Sequence, residues 1–206
     1  MRWMRCGQGE TMHINWQLRE LNLKVVYYGP ALSGKTTNLE QIHARVNPAQ
    51  RSELVSLKTH EDRTLFFDFL QLELGKIGGL TPKIHLYTVP GQTYYEASRR
   101  LVLRGADGVV FVVDSAAPRL HENLESWKNM LTHLRSFDID PQGMPIVVQL
   151  NKQDLYNALK PPAIRTLLHL NGLPTVEAVA MNGQGVLETL KAITRAVIAQ
   201  VQRQMA

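Results

Sequence analysis

One cysteine, Cys6, stands among 206 residues, so no disulfide can form within the chain and a reducing, cytoplasmic compartment is expected. Long apolar runs are also missing: VVFVV and IVVQL are short and bounded by Gly, Pro, Asp or Asn, which excludes a helical membrane span. Seven histidines are scattered without H-E-x-x-H or similar spacing, so no structural zinc is expected. No Gly follows Met1 and no C-a-a-X box precedes the end, VQRQMA, which leaves lipid anchoring without support. MRWMRCGQGET lacks the apolar centre of a signal peptide; residues 1–12 are read as a disordered extension, with Met12 as an alternative start. Repeats and low-complexity tracts are absent, and the net charge of +5 is spread among acidic residues. That favours a solvated mixed surface over a nucleic-acid or membrane-binding one.

What is present is enough apolar material, 44% of residues, for one well-cored domain over 13–206. LNLKVVYY is a predicted buried strand and TTNLEQIHARV a helix. TLFFDFLQLEL and TPKIHLYTVPG are predicted strands joined by GKIGG as an antiparallel edge hairpin. Then follow a helix from Tyr94 to Leu103, the strand GVVFVVDS, and a helix with Leu120, Leu124, Trp127, Leu131 and Leu134 on its apolar face. PIVVQLNKQD is a strand entering a loop, and a short helix from Ile164 to Leu170 stops at Asn171-Gly172. TVEAVAM is the last strand, and Val186, Leu190, Ile193, Val197 and Val201 mark the last helix. Alternating strands and helices imply a doubly wound α/β fold with a mostly parallel sheet, whose ligands lie at the carboxyl ends of the strands.

Residues 29–37 read GPALSGKTT and match G-x-x-x-x-G-K-[ST] between a predicted strand and a helix N-terminus. Gly29, Pro30, Ala31, Leu32, Ser33, Gly34 and Lys35 are expected around the phosphates, with successive backbone N–H groups of the loop turned inward. Lys35 is expected to reach the terminal phosphates and neutralise charge there. Thr36 is expected to ligate Mg²⁺ through its hydroxyl, with Thr37 beside it. A nucleoside triphosphate with Mg²⁺ is therefore the expected ligand. The alternative is a tight turn that binds nothing.

Three more segments each follow a predicted strand. In TVPGQ, Thr88 to Gln92, Gly91 can offer its N–H to the terminal phosphate and Gln92 can orient an attacking water, although Pro-Gly alone is also a common turn. In NKQD, Asn151 to Asp154, the Asp154 carboxylate can accept from N1 and N2 of guanine, which adenine cannot match. Lys152 would lie along the base plane and Asn151 would bond the base edge and brace the phosphate loop. As an isolated tetrapeptide NKQD is a surface turn; its place after IVVQL is what supports base recognition. In AVAMNG, the Ala180 N–H can meet guanine O6, with Met181 next to it.

The order GPALSGKTT, TVPGQ, NKQD, AVAM resembles that of the Ras-like small GTPases. KVVYYGPALSGKTTNL, DRTLFFDFL, HLYTVPGQ, ASRRLVLRGADGVVFVVDS and NKQDL are similar to the bacterial MglA-like family within them, over about Asn15 to the last helix. The resemblance implies a GTP-hydrolysing switch in cell polarity or motility. By it, Thr64 matches the switch threonine that ligates Mg²⁺, and Arg63 an arginine finger from within the same chain. Without the family, a surface ion pair of Arg63 with Glu61 or Asp62 is an equal reading. The resemblance also implies an MglB-like Roadblock-fold homodimer as activating partner, and a cytoplasmic protein recruited to cell poles or membrane complexes. Most Ras-like proteins carry Asp where this chain has Thr88, so a carboxylate is missing from the expected metal surroundings. Two alternatives follow: a GTP-dependent binding module with negligible hydrolysis, and an ATP-dependent enzyme sharing only the phosphate loop.

Overall fold

Alternation along the two central strands decides the layering. In the computed structural model, which describes residues 13–57, 67–91, 95–170 and 172–205, eight strands and five helices follow one another. They are β1 His13–Asn15, β2 Glu20–Tyr28, α1 Lys35–Arg45, β3 Val55–Leu57, β4 Phe67–Glu73, β5 Thr81–Thr88, α2 Glu96–Leu103, β6 Gly108–Asp114, α3 Leu120–Arg135, β7 Ile146–Asn151, α4 Pro161–Leu167, β8 Thr175–Glu177 and α5 Val186–Met205. Leu23, Val25 and Tyr27 of β2, with Val110 and Val112 of β6, face Leu39 and Ile42 of α1 and Ile193 and Val197 of α5. Val26, Tyr28, Val109, Phe111 and Val113 face the other way, onto Leu103, Met130, Leu134 and Ile164. Both sheet faces are covered, which is why GVVFVV is apolar throughout and all seven residues of β6, Asp114 at its end included, are buried.

The sheet order is β3-β4-β5-β2-β6-β7-β8. From β5 to β8 every neighbouring pair is parallel, while β3–β4 and β4–β5 are antiparallel. β1 adds antiparallel pairing along Glu20–Asn22, and β6 pairs with β2 from Val25 onward. The doubly wound, mostly parallel sheet agrees with the sequence expectation, and so does the β4–β5 hairpin, closed where Leu74 N–H donates to Pro82 O at 2.9 Å. The hairpin is not itself the edge, because β3 pairs outside β4.

Two helices differ from the pattern read in the sequence. α4 begins at Pro161, three residues before Ile164, because prolines fit the first helical positions where no N–H is needed. On α3 Leu134 is buried and Trp127 and Leu131 pack on the core as expected, while Leu124 is exposed and Asn123, Met130 and His133 are buried as well. Polar bonds bring in the two polar residues: Asn123 accepts from Asp114 N–H at 3.0 Å and donates to Asp114 O at 2.8 Å, and His133 Nδ1 meets the Tyr28 hydroxyl at 3.3 Å. The 1–12 extension, Arg63, Thr64, Gln92, Tyr94 and Asn171 lie outside the described residues.

Candidate functional site

Segments leaving the carboxyl ends of β2, β5, β6, β7 and the chain just past β8 carry the candidate residues. Gly34 opens α1 at φ 100°, and a Cβ there would lie 2.3 Å from Asn151 Nδ2, so only glycine lets the phosphate loop meet β7. Asn151 uses that proximity. Its Nδ2 donates to Ser33 O at 2.7 Å and its Oδ1 accepts from Ala180 N–H at 2.8 Å. One amide thus pins the phosphate loop, NKQD and the loop after β8 to each other. The Ala180 N–H expected to meet guanine O6 is therefore shared with Asn151.

The loop's polar groups fit an anion. Lys35 is buried and its ammonium is bonded by the loop's own carbonyls, Gly29 O at 3.0 Å and Pro30 O at 2.6 Å. Burial, then the nearby Arg99 guanidinium, pushes it down to about 7, with Asp68 opposing and Arg119 adding. Ser33 Oγ is buried without a partner among the described residues. Arg119 donates from Nη2 to Ala31 O at 2.8 Å. Three cations therefore surround the cradle, an arrangement that a polyphosphate would relieve. Leu32 is exposed at the loop's tip, and Met181 is exposed beyond Ala180. Gly91 approaches the loop so closely that a Cβ would lie 2.4 Å from Ala31 Cα, which places its backbone at the phosphate end.

On the purine side, Lys152 takes φ 66° and donates to buried Asp114 Oδ2 at 2.7 Å. Arg119 Nε lies 3.7 Å from the same oxygen. Asp154 is exposed and makes no hydrogen bond or ion pair to the described residues, so its carboxylate is open to a ligand.

The metal side contains the residue that sequence reasoning missed. Asp68 of β4 is buried, and three hydroxyls donate to its carboxylate: Thr36 Oγ1 to Oδ2 at 2.6 Å, Thr88 Oγ1 to Oδ2 at 2.9 Å, and Ser56 Oγ to Oδ1 at 2.6 Å. Thr88 Oγ1 also accepts from Asp68 N–H at 2.8 Å. A carboxylate absent at position 88 is thus supplied by the neighbouring strand. Because Thr36 donates its proton to Asp68, its lone pairs stay available to a cation. No group of three His, Cys, Asp or Glu able to hold a metal by itself occurs among the described residues. Asp68 had a legible signal: period two puts it on the same side of β4 as Leu70 and Leu72, and a carboxylate in a core stripe needs partners. Arg119 had none.

A profile of the ADP-ribosylation factor family matches residues 11–197. Mutual gliding-motility protein MglA of Myxococcus xanthus (strain DK1622) is 47% identical over 190 residues, 92% of this chain and 97% of the relative. ADP-ribosylation factor-related protein 1 of Bos taurus is 27% identical over 187 residues, 87% of each chain. ADP-ribosylation factor-like protein 4A of Homo sapiens is 29% identical over 149 residues, 72% of this chain and 67% of the relative. The match runs through every segment of the cradle, and the chain belongs to the ADP-ribosylation factor family of Ras-like small GTPases, within it to the MglA family.

Proposed function

We propose that residues 13–206 act as one GTP-binding domain, a GTP-hydrolysing switch whose nucleotide state selects the partners that control cell polarity or gliding motility. The observation that carries this reading is the double brace of Asn151, which joins Ser33 of the phosphate loop to Ala180 beside the base-reading tetrapeptide. A phosphate loop alone serves many nucleotides; one locked to NKQD serves guanine.

In this reading Gly29 to Thr37 cradle the phosphates, and Lys35 leaves its loop carbonyls to neutralise charge developing on the transferring group. Asp154 accepts from guanine N1 and N2, Lys152 lies along the base, and Ala180 and Met181 border its edge. Gly91 offers a backbone N–H to the terminal phosphate, Gln92 orients the attacking water, and Arg63 supplies a guanidinium from within the chain. Thr36 and Thr64 would hold Mg²⁺, which when bound neutralises charge on the β- and γ-phosphate oxygens. Asp68 keeps the Thr36 hydroxyl turned for that task and supplies the negative charge that Thr88 lacks.

An MglB-like Roadblock-fold homodimer is the proposed activating partner, and recruitment to cell poles through partners is the proposed localisation. Among the described residues no helix is long and apolar enough to cross a membrane. Single-turnover hydrolysis tests the reading. The chain alone should hydrolyse GTP at about 10⁻⁴ to 10⁻² s⁻¹, and the homodimer should accelerate it by orders of magnitude. Arg63→Ala and Gln92→Ala should each remove most of the stimulated rate. Tight GTP binding with no acceleration would favour a non-hydrolysing module instead.

A further inference from the structure

α1 connects the phosphate loop to the loop that is proposed to border the base. Its first residue, Lys35, belongs to the phosphate loop, while its last two turns grip the loop after β8. Gln41 Nε2 donates to Met181 O at 3.1 Å, Arg45 Nη2 donates to Asn182 O, and Arg45 Nη1 reaches Gly183 O at 3.5 Å. Arg45 Nε donates to Gln41 Oε1 at 3.1 Å, which fixes the two side chains against each other. Three successive carbonyls are therefore held from one helix. The fit is close: a Cβ on Gly183, at φ 81°, would fall 2.1 Å from Arg45 Cζ. On its other side the same loop is held by Ala180 N–H on Asn151.

We propose that Gln41 and Arg45 are positioning residues for the purine. They hold Ala180–Gly183 in the place where Ala180 and Met181 border the base, and through α1 they tie that place to the phosphate loop. Neither side chain touches the reacting phosphates, so the effect belongs to nucleotide retention and not to the chemical step. The inference rests on the guanine-nucleotide reading above. A merely structural set of surface bonds would change melting temperature and leave nucleotide release unaltered.

Stopped-flow release of a fluorescent GDP analogue, measured with Mg²⁺ on the full chain, tests it. Arg45→Ala and Gln41→Ala should each speed release by about tenfold, with the single-turnover rate of GTP hydrolysis within about twofold of the parent, because bonds to the Met181–Gly183 carbonyls are lost while the chemical step is untouched. Arg45→Lys, which keeps a donor, should recover part of the difference. Release within about twofold of the parent in both alanine variants would overturn the inference, whatever happens to the melting temperature. A parent that fails to bind the analogue at all would overturn the guanine reading and this inference with it.

Discussion

The half of the cradle proposed for the purine and the half proposed for the metal are held by different means. The half assigned to the purine hangs from parallel strands covered on both faces, and its fixings are an amide locked between two backbones and the bond from half-buried Lys152 to buried Asp114. The metal half lies toward the antiparallel strands, where one carboxylate, Asp68, receives three hydroxyls. A backbone-to-amide lock has one arrangement, whereas hydroxyls rotate and can change acceptors. The first half can therefore read a constant feature, the base. The second can respond to one that changes, the number of phosphates and the cation they carry.

The largest expected effect breaks the fixed half. Asp154→Ala removes two charge-assisted bonds worth about 1.5–3 kcal/mol each, so GDP affinity measured by calorimetry should fall by at least about 100-fold. The melting temperature should hardly move, because Asp154 has no partner among the described residues. Next, Asp68→Ala should raise the Mg²⁺ concentration needed to slow nucleotide release by about 10- to 100-fold. It should also cost about 1–3 kcal/mol in urea denaturation, since three hydroxyls and a backbone N–H lose their arrangement.

Thr88→Asp sharpens the comparison in the opposite direction. Sequence logic alone would expect it to restore the usual carboxylate. The structure places position 88 within 2.9 Å of Asp68, where two carboxylates cannot both ionise. Thr88→Asp should lower the melting temperature by about 3 °C or more at pH 8, and by less at pH 5. A variant as stable as the parent at pH 8, with tighter Mg²⁺ dependence, would contradict the role of Asp68.

A fourth effect lies away from both halves. Burial pushes Asp107 up to about 7, while the Lys24 N–H at 2.6 Å and the Lys24 charge draw it back. Its unfolded value is about 3.9. A raised folded value gives stability that is complete below about pH 4 and lost as pH rises toward 7. Asp107→Asn keeps an acceptor for Lys24 N–H and should flatten that decline in urea curves at pH 4.5, 6 and 7.5. Parallel curves for variant and parent would contradict it.

Legibility followed how strictly geometry dictates sequence. The meeting of Gly34 with Asn151 was legible because a backbone approach this close leaves only glycine as a choice. Val186, Leu190, Ile193, Val197 and Val201 were readable because one apolar stripe serves one core, and all five are buried. β1 and β3 escaped notice because three residues carry too little alternation to register. The α3 stripe was legible at Trp127, Leu131 and Leu134, which pack on the core, but its extent was not, because Asn123 and His133 are buried through hydrogen bonds, which an apolar count ignores. Asp68 shows in the sequence only as a carboxylate in an apolar stripe; its partners are distant along the chain, Ser56 and Thr88 being brought to it by strand pairing and Thr36 by α1 against the sheet.

The most direct measurement is calorimetric binding of Mg²⁺-GDP and Mg²⁺-ADP to the parent and to Asp154→Ala. The parent should prefer GDP by at least about 100-fold and the variant should lose most of that preference. Equal affinity of the parent for the two nucleotides would contradict the account.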